Sequence, residues 1–214
     1  MRISRLRDES PCGRHRPLIA VLAAVFLLIP PPLHGYAGHL SDGDVREAYF
    51  FGQRHDLSVA RFFEPYEKKI VGARSGPHVR AIAVRTPYSS VVLRSYKGGS
   101  TYTAHRAQTE FAARANVFEV VFWIDIPLSP RDALLNPISL LKEFKVELSQ
   151  EQLISPVNAV VPAFLEKDDS GGVIGAEVHV EYDARDLTSA PVRVQVTNAS
   201  GQTASADFDL VKLR

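Results

Sequence analysis

One histidine of this chain lies between two carboxylates in a pattern that could do chemistry. Glu177, His179 and Glu181 are spaced two residues apart, in a stretch that alternates apolar and polar residues. Side chains two apart on a β-strand project from the same face, so these three are predicted to share one face. An imidazole and carboxylates can bind a divalent metal ion, or one carboxylate can orient the histidine as a general base.

Strand geometry limits what this pattern can do alone. Neighbouring side chains on one face of a strand are about 7 Å apart, so a metal ion would need further ligands from an adjacent strand. The competing interpretation is a solvated polar face, because antiparallel sheets commonly keep one face in water. Glu177, His179 and Glu181 are therefore an alternative metal site beside a purely structural role.

The other histidines are scattered along the chain. His105 lies near Glu110 and is the second candidate, with His179, for a small secreted hydrolase or a metal-dependent enzyme. The sequence contains neither the H-E-x-x-H pattern of a helical zinc site nor the G-x-S-x-G pattern of a serine hydrolase. We therefore assign no catalytic residue and no cofactor, and the balance favours a protein that is not an enzyme.

Aromatic residues cluster before the first predicted strand. Phe62, Phe63 and Tyr66 recur at helical spacing. A surplus of exposed aromatic side chains would mark a surface on which a partner protein docks. The same spacing is typical of the core face of a helix that packs on a sheet. These three residues are the candidate binding residues, with the core interpretation beside them.

The N-terminus predicts export. An Arg-rich start leads into an apolar run over 17–29, followed by three prolines and the small residues Gly35 and Ala37. This is the pattern of a secretory signal peptide, with cleavage predicted between Ala37 and Gly38. The run is shorter than the about 20 residues that cross a bilayer. We expect a secreted or periplasmic protein, with an uncleaved N-terminal membrane anchor as the alternative.

Removal of residues 1–37 would leave 177 residues without cysteine, because Cys12 is the only one. Disulfides, cysteine nucleophiles and cysteine-ligated metals are then excluded. The remaining chain carries 20 Lys and Arg against 22 Asp and Glu, a net charge of −2. Because phosphate binding needs a clustered basic field, this balance argues against nucleic acid as the main partner.

The first part of the remaining chain predicts helices over 41–70. Ser41 or Asp42 can cap the first helix, and Ser58 can cap the second. Pro65 lacks the backbone donor that a helix needs, so the second helix is predicted to be short or kinked.

Alternation dominates the rest of the chain. In chain order the predicted elements are a strand over 79–86, helices over 87–98 and 104–115, a strand over 117–126, and strands over 144–148, 159–165, 174–183, 192–196 and 204–210. Pro162 restricts its strand to a sheet edge or a bulge. Polar residues at every second position indicate antiparallel sheets with one wet face.

The predicted fold class is α+β, an antiparallel β-sandwich of immunoglobulin-like character. The sandwich is assigned to residues 78–214 with helical insertions, after an N-terminal helical segment over 38–77. If residues 78–126 form a lobe of their own, the loop over 127–141 is the predicted boundary.

These observations favour an exported, non-enzymatic binding or interaction module of the cell envelope or extracellular space. Its expected partner is another envelope or extracellular protein, met through the N-terminal helices or the loops at one end of the sandwich. The alternative function is the small hydrolase or metal-dependent enzyme built on His179 or His105.

Overall fold

The computed structural model describes residues 36–71, 76–126, 141, 143–158, 161–167, 169 and 173–214. The predicted leader up to residue 35, the predicted boundary loop up to residue 140 and most of the turn over 168–172 lie outside the described residues. None of the helices in the described part is long and apolar enough to cross a membrane.

Four helices and nine strands make up the described structure. The helices are α1 (Asp42–Gly52), α2 (Leu57–Phe63), α3 (Pro87–Gly98) and α4 (Ala104–Ala113). The strands are β1 (Glu67–Lys69), β2 (His78–Arg85), β3 (Val117–Asp125), β4 (Lys145–Ser149), β5 (Leu153–Ile154), β6 (Val161–Lys167), β7 (Val173–Asp183), β8 (Val192–Thr197) and β9 (Thr203–Phe208). Short 3₁₀ turns follow α2, α3, β7 and β9.

Side-chain caps begin the helices where the sequence predicts them in three cases. The hydroxyl of Ser41 accepts the N–H of Asp44, whose carboxylate in turn accepts the N–H of Ser41. Thr86 caps α3 ahead of Pro87, and Thr103 caps α4. Each cap satisfies an amide of the first turn that has no partner within the helix.

The predicted second helix is short, as Pro65 predicts, but it begins earlier than expected and does not include residues 67–69. Asp56, two residues before Ser58, accepts the N–H of Ser58 and caps α2. The helix ends at Phe63, because Pro65 cannot continue it. Glu67–Lys69 then forms the edge strand β1. β1 then pairs with residues 81–83 of β2.

Two antiparallel sheets carry the fold. One has the order β1-β2-β3-β7-β6 and the other the order β5-β4-β8-β9. The α+β sandwich class predicted from the sequence is confirmed. β2 and β3 belong to the same sheet as β6 and β7, and α3 and α4 form the connection between β2 and β3. β6 lies at a sheet edge, and its register with β7 shifts between Pro162 and Phe164, as the proline predicts.

The main core lies between the sheets. It is formed by alternate residues of the long strands, chiefly Ile82, Val84, Phe118, Val120, Phe122, Ile124, Val178, Val180 and Tyr182 from one sheet, and Leu148, Val192, Val194, Val196 and Phe208 from the other. The residues between these positions on β2, β3 and β7 point away from this core. The outer face of the five-stranded sheet therefore carries the polar set that includes His179.

The helices have a second core of their own. Its buried members include Val45 and Ala48 of α1, Val92 of α3 and Ala107 of α4. Half-buried Phe62 packs against both cores, so the end of α2 joins the helices to the sandwich.

Candidate functional site

Strand register brings four charged side chains together on the outer face of the five-stranded sheet. Arg85 of β2 is paired in register with Glu119 of β3, and His179 and Glu177 come from the next strand, β7. The buried Val121 occupies the position opposite His179. We call Arg85, Glu119, Glu177 and His179 the charged quartet.

Each member of the charged quartet contacts two others. His179 Nδ1 lies 2.7 Å from a carboxylate oxygen of Glu119, and its Nε2 lies 2.8 Å from Glu177. Arg85 donates to Glu119 at 3.1 Å and to Glu177 at 3.3 Å. Trp123 adds its ring N–H to Glu177 at 3.2 Å. The side chains retain only 12–24% of their exposure, so water screens the ion pairs weakly.

The surroundings favour the charged forms. Burial by itself would lower the pKa of His179, but the hydrogen bonds and negative charges of Glu119 and Glu177 outweigh it and raise that pKa, against a smaller opposing effect of Arg85. Burial opposes ionisation of both glutamates as well, yet the bonds from His179 and Arg85 hold their pKa values below the ordinary range. When His179 is protonated, two cations face two anions, and the charged quartet is neutral as a unit.

This neutrality restricts the chemistry of His179. A general base needs an imidazole nitrogen with a free lone pair. Here both nitrogens face carboxylates, and a protonated ring donates to each of them. The geometry is that of a held imidazolium rather than of a base aimed at a substrate.

The predicted metal set is only partly brought together. Glu177 and His179 are in contact, whereas Glu181 pairs with Arg114 and accepts a 2.6 Å hydrogen bond from Asn158. Within the described ranges, no group of three or more His, Cys, Asp or Glu side chains has an arrangement that could hold a metal ion.

A pocket of about 200 Å³ opens beside the charged quartet, where α3 and α4 meet the outer face of the sheet. Its apolar lining comes from the two helices and the start of β3, with Pro87, Val91, Leu93, Ala107, Phe111 and Val117. Arg85, Glu119 and His179 reach it from the sheet. Small binding sites commonly combine such an apolar wall with a few convergent polar groups.

A second group of charges borders the pocket on the helix side. Glu110 of α4 accepts hydrogen bonds from Arg94 at 2.9 Å, from Arg106 at 2.8 Å and from the hydroxyl of Tyr102 at 3.1 Å. The bond from Arg106 is the main reason that the pKa of Glu110 lies below its ordinary range. Burial, followed by the proximity of Glu110, raises the pKa of Tyr102 to about 12.

Cations outnumber anions at this border. Arg94 and Arg106 share the single carboxylate of Glu110, and Lys97 lines the adjoining recess together with all three. Among the described residues, no carboxylate forms an ion pair with Lys97. We call Arg94, Lys97, Arg106 and Glu110 the basic rim.

The aromatic residues named from the sequence lie between the two cores. Ring centroids of Phe62 and Phe63 are 5.0 Å apart, and Phe62 is also 5.0 Å from Tyr66. Tyr66 is buried, and its hydroxyl donates to the carbonyl of Arg214 at 2.8 Å. Phe62 and Phe63 are half-buried, so most of this surface packs within the protein.

The second histidine candidate stands apart from the pocket. His105 is exposed on α4 and is absent from the pocket lining. The alternation over 117–126 indicates a wet face that includes Glu119, but no local pattern connects Glu119 or Trp123 with His179. Arg85 and Arg94 were missed altogether. The available signal was the outward position of Arg85 and Glu119 on two strands joined by a helical insertion.

The fold and the site define a class, an α+β sandwich protein whose helical insertion encloses a small pocket against a charged sheet face. No protein-family model and no curated protein matches the chain. Two solved structures resemble it remotely. IgNAR antibody domain C3 has 10% identity and a TM-score of 0.31, over 64% of this chain and 97% of that one. A protein of unknown function from Burkholderia pseudomallei has 12% identity and a TM-score of 0.37, over 78% of this chain and 90% of that one.

Proposed function

We propose that this protein is an exported binding module, not an enzyme, and that its pocket holds a small ligand with an apolar body and one anionic group. The observation that carries the proposal is the position of the basic rim beside a pocket with an apolar wall: Arg94 and Glu110 line the pocket, and Lys97 and Arg106 line the adjoining recess. The ligand would be a component of the envelope or of the extracellular medium.

The pocket wall favours a ligand with an apolar body. Val91, Ala107 and Phe111 offer hydrocarbon surface, and burying it gains about 25 cal/mol per Å². A volume of about 200 Å³ corresponds to roughly seven water molecules. The ligand body is therefore small, on the scale of a medium-length alkyl chain or one aromatic ring.

The charge balance of the basic rim favours an anionic group on the ligand. Arg94 and Arg106 pair with the single carboxylate of Glu110, and Lys97 lines the same recess, which leaves a local excess of positive charge at the rim. Arg94 and Arg106 can each turn a guanidinium donor to a second carboxylate without leaving Glu110 unpaired. Arginine suits this role because its planar donors match carboxylate geometry.

The charged quartet is the reason that we propose no catalysis. His179 has both nitrogens engaged, and Arg85 is shared between Glu119 and Glu177. In the described part of the chain, no serine hydroxyl is hydrogen-bonded to a histidine, so no serine–histidine pair of described residues accompanies the pocket. The quartet supports one wall of the pocket instead of reacting with its content.

Only the N-terminal sequence pattern supports export. The Arg-rich start and the apolar run over 17–29 are typical of a signal peptide, and removal of Cys12 with it suits an oxidising compartment. Fractionation of cells that produce the full chain would locate the protein.

A matched series of eight-carbon compounds tests the ligand class. We expect octanoate to bind the purified protein at least about tenfold more tightly than octanol or octylamine, by isothermal titration calorimetry, because only the carboxylate pairs with the basic rim. The double variant Arg94→Gln and Lys97→Gln should lose this preference. Arg185→Gln with Lys212→Gln removes the same charge from exposed ion pairs outside the pocket and should keep it.

Variants of the pocket separate the two parts of the proposal. Ser90 of α3 also lines the pocket, and Ser90→Leu adds an apolar side chain there that should weaken binding of all three compounds. Equal binding of octanol and octanoate would contradict the anionic group. Failure of every compound to bind the folded protein would contradict the ligand pocket itself.

A further inference from the structure

We infer that the folded protein keeps Tyr36, so that any removal of the leader cuts the chain before Tyr36 and not between Ala37 and Gly38. The residues around the predicted cut are part of the sandwich. This inference concerns maturation and stands independently of the ligand pocket.

The side chain of Tyr36 is built into the main core. Only 8% of the residue is exposed, and its ring packs edge-on against Phe118 with centroids 6.1 Å apart. Its hydroxyl donates a 2.7 Å hydrogen bond to the carbonyl of Ala184. Burial, followed by the charge of Asp183, raises the pKa of this hydroxyl far above its ordinary value, so it remains a donor.

The backbone of Tyr36 adds a tie to the other sheet. Its N–H donates to the carbonyl of Leu210 at 3.1 Å. Ala184 follows β7 of the five-stranded sheet, and Leu210 follows β9 of the four-stranded sheet. Tyr36 therefore bridges the ends of the two sheets with one residue.

The next residues are fitted to the same place. A Cβ atom at Gly38 would lie 2.7 Å from the carbonyl oxygen of Ala184, so the chain passes too closely for a larger residue. Leu40 is buried in the helical core. Residues 36–40 thus join the sandwich to α1 as an ordered part of the fold.

A cut after Ala37 would remove this bridge. The hydroxyl bond to Ala184 and the amide bond to Leu210 would be lost, and Phe118 would lose an aromatic neighbour. Buried polar groups left without partners and cavities beside aromatic rings both destabilise a fold. Gly35 supplies the small residue required immediately before a cut at Tyr36, whereas the third position before that cut is Leu33.

Intact-mass measurement and N-terminal sequencing of the folded protein test the inference. The full 214-residue chain is produced with its own leader, and the folded protein is purified from the exported fraction or, if it is not exported, from the cell. We expect an N-terminus at Tyr36 or at any earlier residue, including the uncut chain. An N-terminus at Gly38 or later would overturn the inference, whereas a failure of export alone would count only against the proposed function.

Substitutions in the same full chain test the physical reason. Tyr36→Ala should lower the melting temperature by at least about 5 °C, and Tyr36→Phe by less, because the ring stays and only the hydroxyl is lost. His39→Gln changes an exposed residue nearby and should leave the melting temperature unchanged. Equal melting temperatures for Tyr36→Ala and His39→Gln would show that Tyr36 is dispensable.

Discussion

At the scale of single residues, the charged quartet shows how a half-buried set of charges can stabilise a sheet face. Glu119 lies directly opposite Glu181 in the register of β3 and β7, a like-charge pair that would repel. Glu119 is neutralised by Arg85 and His179, and Glu181 by Arg114. Removing one partner from such a set leaves another charge uncompensated and costs more than the pair contributes.

The charged quartet makes stability depend on pH in a defined direction. The pKa of His179 is raised above 6.5, so its contribution is complete below pH 6.5 and is lost as the pH rises through the folded-state value. The pKa values of Glu119 and Glu177 are lowered from 4.5, so their contribution is complete above pH 4.5 and is lost as the pH falls through the folded-state values. The full contribution therefore lies between pH 4.5 and 6.5.

Urea unfolding of a His179→Gln variant measures this window. At pH 6 we expect the variant to lose about 1–3 kcal/mol of unfolding free energy relative to the unchanged protein, and the difference should shrink as the pH rises above 6.5. His105→Gln, at an exposed position, serves as the control and should differ little at any pH. A difference for His179→Gln that grows with pH would contradict the protonated ring.

At the scale of elements, Arg214 connects pieces that are distant in sequence. Its guanidinium forms an ion pair with Glu47 of α1 at 2.6 Å and lies 4.3 Å from the centre of the Tyr88 ring on α3. Its backbone N–H donates to the hydroxyl of Tyr66 at 2.9 Å, and its carbonyl accepts from Thr86. One residue thus ties α1, the turn after α2 and the start of α3 to the strand region that ends at β9.

Two substitutions of Arg214 should weaken this connection to different extents. Arg214→Ala should cost about 1–2 kcal/mol, because it removes both the ion pair and the cation–π contact. Arg214→Lys should cost less, since it keeps the charge but not the planar donors. Chemical denaturation measures both. Arg193→Ala, which breaks an exposed pair with Asp207, should cost no more than about 1 kcal/mol, and an equal cost at both sites would refute the tie.

Elements also show where local sequence information suffices. α3 begins at Pro87 after its Thr86 cap and ends at Gly98, as predicted, because caps and prolines act within one turn. Glu67–Lys69 was predicted as helix and is a strand, because its conformation is set by pairing with β2. Three residues with no alternation of their own carry no signal for that distant partner.

At the scale of the whole molecule, two cores share one aromatic contact region. Phe62 contacts Phe51 and Tyr88 of the helical layer and also Tyr66, which belongs to the main core. Such continuity favours cooperative unfolding, since neither core can expose this region without affecting the other. The same packing accounts for aromatic residues for which the sequence also offered a docking surface beside the core interpretation.

A Phe62→Ala variant tests whether Phe62 couples the two cores. We expect a loss of about 2–3 kcal/mol, somewhat below the cost of truncating a fully buried phenylalanine, because Phe62 is half-buried. Circular dichroism at 222 nm follows the helices, and fluorescence of Trp123 follows the five-stranded sheet. The two unfolding transitions should coincide in the unchanged protein, and the helical one should move to lower urea in the variant. A variant with unchanged stability would favour the docking interpretation of Phe62.

The sequence by itself determined the long elements and the faces of the long strands, but not the short strands β1 and β5. Alternation placed Phe118, Val120 and Phe122 inward and Glu119 outward, and the polar face of β7 was equally legible. From these patterns followed an α+β antiparallel sandwich, because a period of two and a helix cap are both properties of a few consecutive residues.

Only the tertiary structure decided which strands are neighbours. Glu119 and His179 are 60 residues apart, and Arg85 and Glu177 are 92 apart, so no local pattern could connect them. The bridge from Tyr36 to Ala184 spans 148 residues and lies inside what the sequence presents as a cleavage motif. Hydrogen bonds and ion pairs of this kind depend on sheet order and register, which are set by packing between residues far apart in the chain.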